Sequence, residues 1–326
     1  MVPFAYGVPA ATKVFINDGK GKFRDETAAR APGFEQLGLV TTGLVTEVNG
    51  QQAVLLAGEW MAPQLYLIQE GKLQLDERQP FGDWSGWYFT ASQADLSGNG
   101  RMDIVLGAQG LNSRLKPSTE RPLVMVVNDF DQNGSVEQVF TYKEGSKHVP
   151  ITLKHELERQ LPYLKKRYLK YSAYNNQYLE DIFEPALLER SLYKEVQSFA
   201  SIVLLQGEDG IFRVQPLPRE AQKSRIFSVL IDDFNDDGIP DLLLGGNLYG
   251  VKPEMGKYDA SFGELFLGKG DGTFDFVPNR VHGMRLEGDV RHLHWLPGDK
   301  RQLLVLRNQA PTQVWEQVKV VERGNP

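Results

Sequence analysis

The chain has no cysteine. That excludes disulfides, thiolate metal sites and a cysteine nucleophile, and leaves the redox compartment open. No stretch approaches the ~20 continuous apolar residues of a membrane-spanning helix, so no membrane-spanning segment is expected. The opening MVPFAYGVPA lacks the charged and apolar regions of an export signal. Basic residues are outnumbered: 36 Lys and Arg stand against 42 Asp and Glu, a net charge of -6. Nucleic acid is therefore not expected as a partner, because phosphate binding needs a basic footprint. Glycine and proline are plentiful instead, 32 and 18 in 326 residues. So many turn formers suit an all-β protein better than a helical bundle, and a 41% hydrophobic content suffices for a buried core.

An internal repeat organises the sequence. DLSGNGRMD (Asp95 to Asp103), DFDQNGSVE (Asp129 to Glu137) and DFNDDGIPD (Asp233 to Asp241) carry oxygen-bearing residues at their first, third, fifth and ninth positions and glycine at the sixth. Apolar runs of strand character flank each one, so each is expected to be a hairpin turn. A second, glycine-rich turn alternates with them: NDGKGKF (Asn17 to Phe23), QEGKLQL (Gln69 to Leu75), GEDGIF (Gly207 to Phe212) and GKGDGTF (Gly268 to Phe274). Degenerate acidic turns occur within Leu44 to Gly58 and Val290 to Asn308, where the flanking strands persist without the acidic residues.

An acidic hairpin followed by a glycine hairpin makes a four-stranded unit, repeating at about the ~40 to 50 residue period of a propeller blade. The expected fold is all-β, a β-propeller across residues 1–326 with about five blade equivalents. Residues 123–142 are candidates for the outer strands of the blade begun by the first acidic turn. The last strand is expected at TQVWEQVKV (312–320). One segment, 146–198, has apolar residues at helical spacing and few glycines, and reads as a small α-helical insertion that packs on the blades and is dispensable to them.

The acidic turns suit Ca2+, which takes six to eight hard oxygen ligands at ~2.3 to 2.6 Å. Alternate side chains in a nine-residue loop can point at one ion. The expected ligands are Asp95, Ser97, Asn99, Asp103 and the Arg101 carbonyl in the first turn, and Asp129, Asp131, Asn133, Glu137 and the Ser135 carbonyl in the second. In the third they are Asp233, Asn235, Asp237, Asp241 and the Ile239 carbonyl. Three carboxylates each in the second and third turns, against two in the first, make the first the weakest site. The competing reading is that Asn, Asp and Gly simply favour turns, with no metal.

The acidic repeats, the glycine turns with their closing phenylalanine, the segment around QLPYLKKRY and the stretch GGNLYGVKPEMGKYDASFGELFLGKGDG resemble the FG-GAP/VCBS repeats of the integrin α-subunit propeller. They resemble more closely the bacterial proteins related to cartilage acidic protein and to the ASPIC/UnbV group. The resemblance implies an exported protein of the cell envelope or extracellular space, whose export signal was removed or which is a fragment of a longer chain. It implies a binding, adhesion or scaffold module for a glycan or protein, although propellers host many functions. The alternative is a calcium-dependent polysaccharide lyase or hydrolase, for which carboxylates are too common here to single out an acid and a base.

In a hairpin, the segment that leaves the second strand emerges opposite the turn. The long segments at that end bring Trp60, Asn112, Arg114, Tyr249, Lys252, Tyr258 and Asp259 forward as a candidate ligand face. His292 and His294 share a strand face but have no evident third metal ligand. Lys165, Lys166, Arg167 and Lys170, interleaved with tyrosines, are nearly balanced by nearby acids and read as a solvated helix with a tyrosine packing face.

Overall fold

The computed structural model describes residues 5–252 and 255–316. The fold is mostly β, with 42% of residues in strands and 14% in helices. Every turn singled out above closes an antiparallel hairpin. The first glycine turn joins β1 (Phe15–Asn17) to β2 (Phe23–Asp25), and a short helix α1 (Thr27–Arg30) follows. The first degenerate turn joins β3 (Leu39–Val48) to β4 (Gln51–Met61), and the second glycine turn joins β5 (Gln64–Gln69) to β6 (Lys72–Leu75). The acidic turns join β7 (Gly86–Ala94) to β8 (Asp103–Ala108), and β9 (Leu123–Asn128) to β10 (Glu137–Glu144).

Beyond β10 come β11 (Lys147–Pro150), five short helices and β12 (Leu192–Val196). The helices are α2 (Lys154–Gln160), α3 (Leu164–Arg167), α4 (Tyr171–Tyr174), α5 (Leu179–Ile182) and α6 (Pro185–Glu189). The hairpins resume with β13 (Ile202–Gln206) and β14 (Phe212–Pro216), then β15 (Ile226–Asp232) and β16 (Asp241–Gly246) around the third acidic turn. After β17 (Glu264–Gly268) and β18 (Phe274–Val277) come α7 (Asn279–His282), β19 (Asp289–Leu296), β20 (Gln302–Asn308) and β21 (Gln313–Glu316). The rest of the strand expected at 312–320 lies outside the described residues.

The chain divides into two compact units, one of residues 1–88, 115–199 and 209–211, the other of 89–114, 200–208 and 212–326. In the first, β4 pairs β3 and β5, and β5 pairs β6, so a degenerate acidic hairpin and a glycine hairpin make four consecutive antiparallel strands. A separate sheet in the same unit has the order β11-β10-β9-β12. Its central strand reads LVMVV without alternation because both faces are covered. Val124 and Val126 join the core of the helical segment. Met125 and Val127 face Gly7, where a side chain would lie 2.7 Å from each and where φ is +91°. Only glycine suits that close approach.

This sheet corrects two expectations. Residues 123–142 do not extend β7 and β8: the order β14-β13-β8-β7 shows that strands from beyond the helical segment do so. Local sequence cannot reveal that pairing, because about a hundred residues of chain intervene between β8 and β13. The segment 146–198 is also not purely helical. Its ends, β11 and β12, form the two edges of the sheet. Nor does it merely lie on a finished core: Leu157, Leu161, Leu164, Tyr168, Leu179 and Ile182 are buried together with Val124, Val126, Phe130 and Val139. The tyrosine face is only partly inward. Tyr168 and Tyr174 are buried, whereas Tyr163 and Tyr171 are exposed.

In the second unit, β15-β16-β17-β18 is a four-stranded antiparallel sheet in chain order, an acidic hairpin followed by a glycine hairpin. β19-β20-β21 forms a three-stranded sheet. Leu96, Val105, Val203, Leu242 and Phe266 anchor one apolar core, and Leu243, Val290, Leu293 and Val305 another.

Candidate metal centres

The three acidic turns share one hydrogen-bond skeleton. The first-position aspartate accepts the backbone N–H groups of the fifth and sixth residues. Asp95 binds those of Asn99 and Gly100 at 3.0 and 2.8 Å, and Asp129 those of Asn133 and Gly134 at 2.9 and 2.8 Å. Asp233 binds those of Asp237 and Gly238 at 3.1 and 2.7 Å. The fifth side chain accepts the seventh N–H: Asn99 from Arg101, Asn133 from Ser135 and Asp237 from Ile239. The ninth carboxylate reaches back to the second N–H, as Asp103 to Leu96, Glu137 to Phe130 and Asp241 to Phe234. The side-chain oxygens of the first, fifth and ninth positions thus fold onto the backbone N–H groups of their own loops.

Two features of the turns were not legible. The fourth residue is left-handed in all three, with φ of 67° at Gly98, 57° at Gln132 and 64° at Asp236, as is the sixth glycine of each. Only Gly98 hinted at this in sequence. The ninth aspartate also binds the neighbouring glycine hairpin. Asp103 Oδ1 accepts the Gln206 N–H at the end of β13, and Asp241 Oδ1 accepts the Gly268 N–H at the end of β17, both at 2.8 Å. Both aspartates are fully buried.

The second turn differs. Its ninth residue is Glu137, one methylene longer, and ligand atoms of Asp129, Asp131 and Glu137 lie within 4.8 Å of one another. Among the described residues this is the one such convergence of three acidic or histidine ligands. No lysine, arginine or histidine among them forms an ion pair with these carboxylates. Burial raises the Glu137 pKa, and the charges of Asp131 and Asp129 raise it further. A cation would reverse both effects, and three hard oxygens suit calcium or magnesium rather than a soft metal.

The third turn already has a positive group beside it. Arg301 donates to the Asp232 carboxylate and, at 2.8 Å, to the Asp233 carbonyl, and lies 3.8 Å from Asp236. Its guanidinium stands 5.0 Å from the Trp295 ring. Asp237 is turned towards its own loop, bonded to the Asn235 amide at 2.8 Å. Asp241 is raised by burial, then by Asp237 and Asp233, while the half-buried Asp233 is lowered by the loop N–H groups. In the first turn the Ser97 hydroxyl oxygen is buried with no hydrogen-bond partner.

The candidate ligand face needs correction at two residues. Trp60 is 3% exposed, packs edge-on against Trp87 and Phe140, and donates through Nε1 to the Tyr6 hydroxyl at 2.7 Å. Tyr258 is 7% exposed, its hydroxyl 3.1 Å from Ser113 Oγ. Both aromatic rings are buried, Trp60 near the end of β4 and Tyr258 in the segment after β16. Trp60 belongs to the first unit and the other six to the second. Asn112 is exposed but its amide donates to the Lys223 carbonyl. Arg114, Lys252 and Asp259 are exposed, and Tyr249 is 39% exposed with the Lys257 ammonium 3.7 Å from its ring centre. His292 and His294 stack with ring centres 6.0 Å apart, and no third ligand converges on them among the described residues.

The sequence matches no family model and no curated protein, so the assignment of these turns rests on their own geometry.

Proposed function

We propose that this protein is a calcium-binding β-propeller of the FG-GAP type, working outside the cytoplasm as a binding or scaffold module for a glycan or protein. The observation that carries the reading is the convergence of Asp129, Asp131 and Glu137 inside a turn whose hydrogen-bond skeleton recurs twice elsewhere in the chain. Three turns of one design are the mark of a repeated unit. The four-stranded succession β15 to β18 has the strand order of a blade and supports the same reading. A metal held within one hairpin has a structural role: it neutralises the acidic cluster and fixes the turn. The exposed residues Arg114, Tyr249, Lys252 and Asp259 are retained as candidates for ligand contact.

The test is thermal unfolding with calcium and with chelator, paired with an affinity screen against acidic and neutral polysaccharides and native-envelope extract. Binding of an ion to the native state alone adds RT ln(1 + [Ca]/Kd), about 2.7 kcal/mol at a hundredfold excess over Kd. An unchanged melting temperature defeats the calcium assignment. Polysaccharide turnover in the same screen would favour an enzyme over a binding module.

A further inference from the structure

The second acidic turn carries helices on its flank. In the first and third turns the second-position residue packs among strand residues, Leu96 with Val105 and Phe234 with Trp295. In the second turn that residue is Phe130, 3% exposed, its ring stacked on Phe183 with centres 4.0 Å apart and planes at 23°. Two further bonds fasten the same turn to the helices. Asn128, at its entry, donates to the Leu187 carbonyl of α6 at 2.7 Å, and the Gln138 N–H, just past its exit, donates to Gln160 Oε1 of α2 at 3.2 Å. The backbone of Phe130 meanwhile donates to Glu137 Oε2 at 2.9 Å. One residue therefore has its amide on a candidate ligand and its ring in the helical core.

We infer that ion occupancy of the turn Asp129 to Glu137 sets the order of the helical segment Lys154 to Glu189, so that the helices form a calcium-gated element. This rests on the calcium reading of that turn. The helices run from four to seven residues, far too short to persist without tertiary packing. Their order is set by the core they share with Phe130. Without a cation, three carboxylates confined within 4.8 Å repel. The turn relaxes, Glu137 releases the Phe130 N–H, and the ring that holds Phe183 loses its fixed position. The bound ion reverses each step. If loosening the helices requires ion release, calcium at a hundredfold excess over Kd slows their exchange about a hundredfold.

Hydrogen exchange of the whole chain, with calcium and with chelator, tests this, alongside calcium affinity by calorimetry. The proposal expects calcium to bind and to protect both 129–137 and 154–189. It also expects Phe183→Ala, which lies outside the candidate ligand set, to bind calcium while protection stays within the turn. Should that variant fail to fold, Phe183→Leu keeps the core filled without the ring stack and should show reduced transmission. Calcium binding in the unaltered chain with protection confined to 129–137 overturns the gating and leaves the metal centre standing. Absence of calcium binding overturns both.

Discussion

Asp241 Oδ1 accepts the backbone N–H of Gly268 at 2.8 Å, across the gap between an acidic hairpin and the glycine hairpin that follows it. Its other oxygen holds the Phe234 N–H, also at 2.8 Å. A residue that looks in sequence like a metal ligand is thus the pin between two hairpins. Asp241→Ala leaves both N–H groups without that acceptor and is expected to cost about 3 kcal/mol, at 1–3 kcal/mol for each unsatisfied group. Urea unfolding with and without calcium measures it. A loss of similar size in chelator identifies the pin, whereas a loss seen only with calcium would make Asp241 chiefly a ligand.

Arg301 should act as the resident cation of the third turn. Arg301→Ala is expected to lower stability by about 1 kcal/mol, the upper end for a partly exposed pair. It should also increase the stabilisation that calcium provides, because Asp232 and Asp236 beside the turn lose their counter-charge. Melting curves of the variant across calcium concentrations would show an unaltered calcium response if the arginine plays no such part.

Acidification should weaken the calcium effect. The Glu137 pKa is raised in the folded, metal-free state by burial and then by its acidic neighbours. Its folded form therefore holds the proton more tightly than the unfolded chain, and in chelator its contribution to stability rises as pH falls towards the carboxylate range. Calcium needs the ionised form, so protons compete with it. The calcium-induced rise in Tm should shrink between pH 7 and about pH 5. Asp76 runs the other way. The Arg78 hydrogen bond lowers its pKa to about 2, so its contribution is present above its ordinary value of 3.8 and lost as pH falls towards 2. An increment from calcium that is constant with pH would argue against carboxylate ligation.

Trp60→Ala should unfold rather than disarm. A nearly buried indole with two aromatic neighbours and a hydrogen-bonded N–H is worth about 3 to 5 kcal/mol on truncation. Native-state ligand capture by whatever fraction remains folded should be unchanged. Retained stability with lost capture would return Trp60 to the ligand face.

Deleting residues 146–197 should abolish folding of the first unit, contrary to the sequence-based expectation of a removable insertion. The deletion removes both edge strands of a four-stranded sheet along with the apolar side chains covering Val124 and Val126. Circular dichroism of the deleted chain that keeps a cooperative β signal with unchanged strand content would contradict this.

The turns and their flanking strands were legible in local sequence. The turns at Asp95, Asp129 and Asp233 are hairpins because Asn, Asp and Gly at fixed offsets impose the turn wherever it occurs. The apolar runs beside them are strands for the same local reason. What escaped is all relational. The partner of β8 is β13, beyond the helices, because pairing depends on three-dimensional closure and carries no local mark. Arg301 lies more than sixty residues from the turn it serves. Trp60 was misplaced because the segment 58–64 reads as a long connection in sequence, whereas β4 runs on to Met61 and carries the ring inward. Carboxylate counts ranked the second and third turns together, yet only the second gathers its acids. The extra methylene of Glu137 and the anchoring of Asp241 to Gly268 separate them.

The left-handed fourth residue gives these turns a chirality requirement of their own. Gly98 has no handedness, whereas Gln132 and Asp236 are L residues in a backbone region that a mirror-image residue would occupy without strain. A chemically synthesised turn with D-glutamine at 132 would start closer to its folded shape than the encoded one. Among genetically encoded residues, glycine, asparagine and aspartate are the ready substitutes there, and β-branched side chains are barred. The fourth position should therefore tolerate changes of charge more readily than changes of branching, even though no metal ligand was assigned to it.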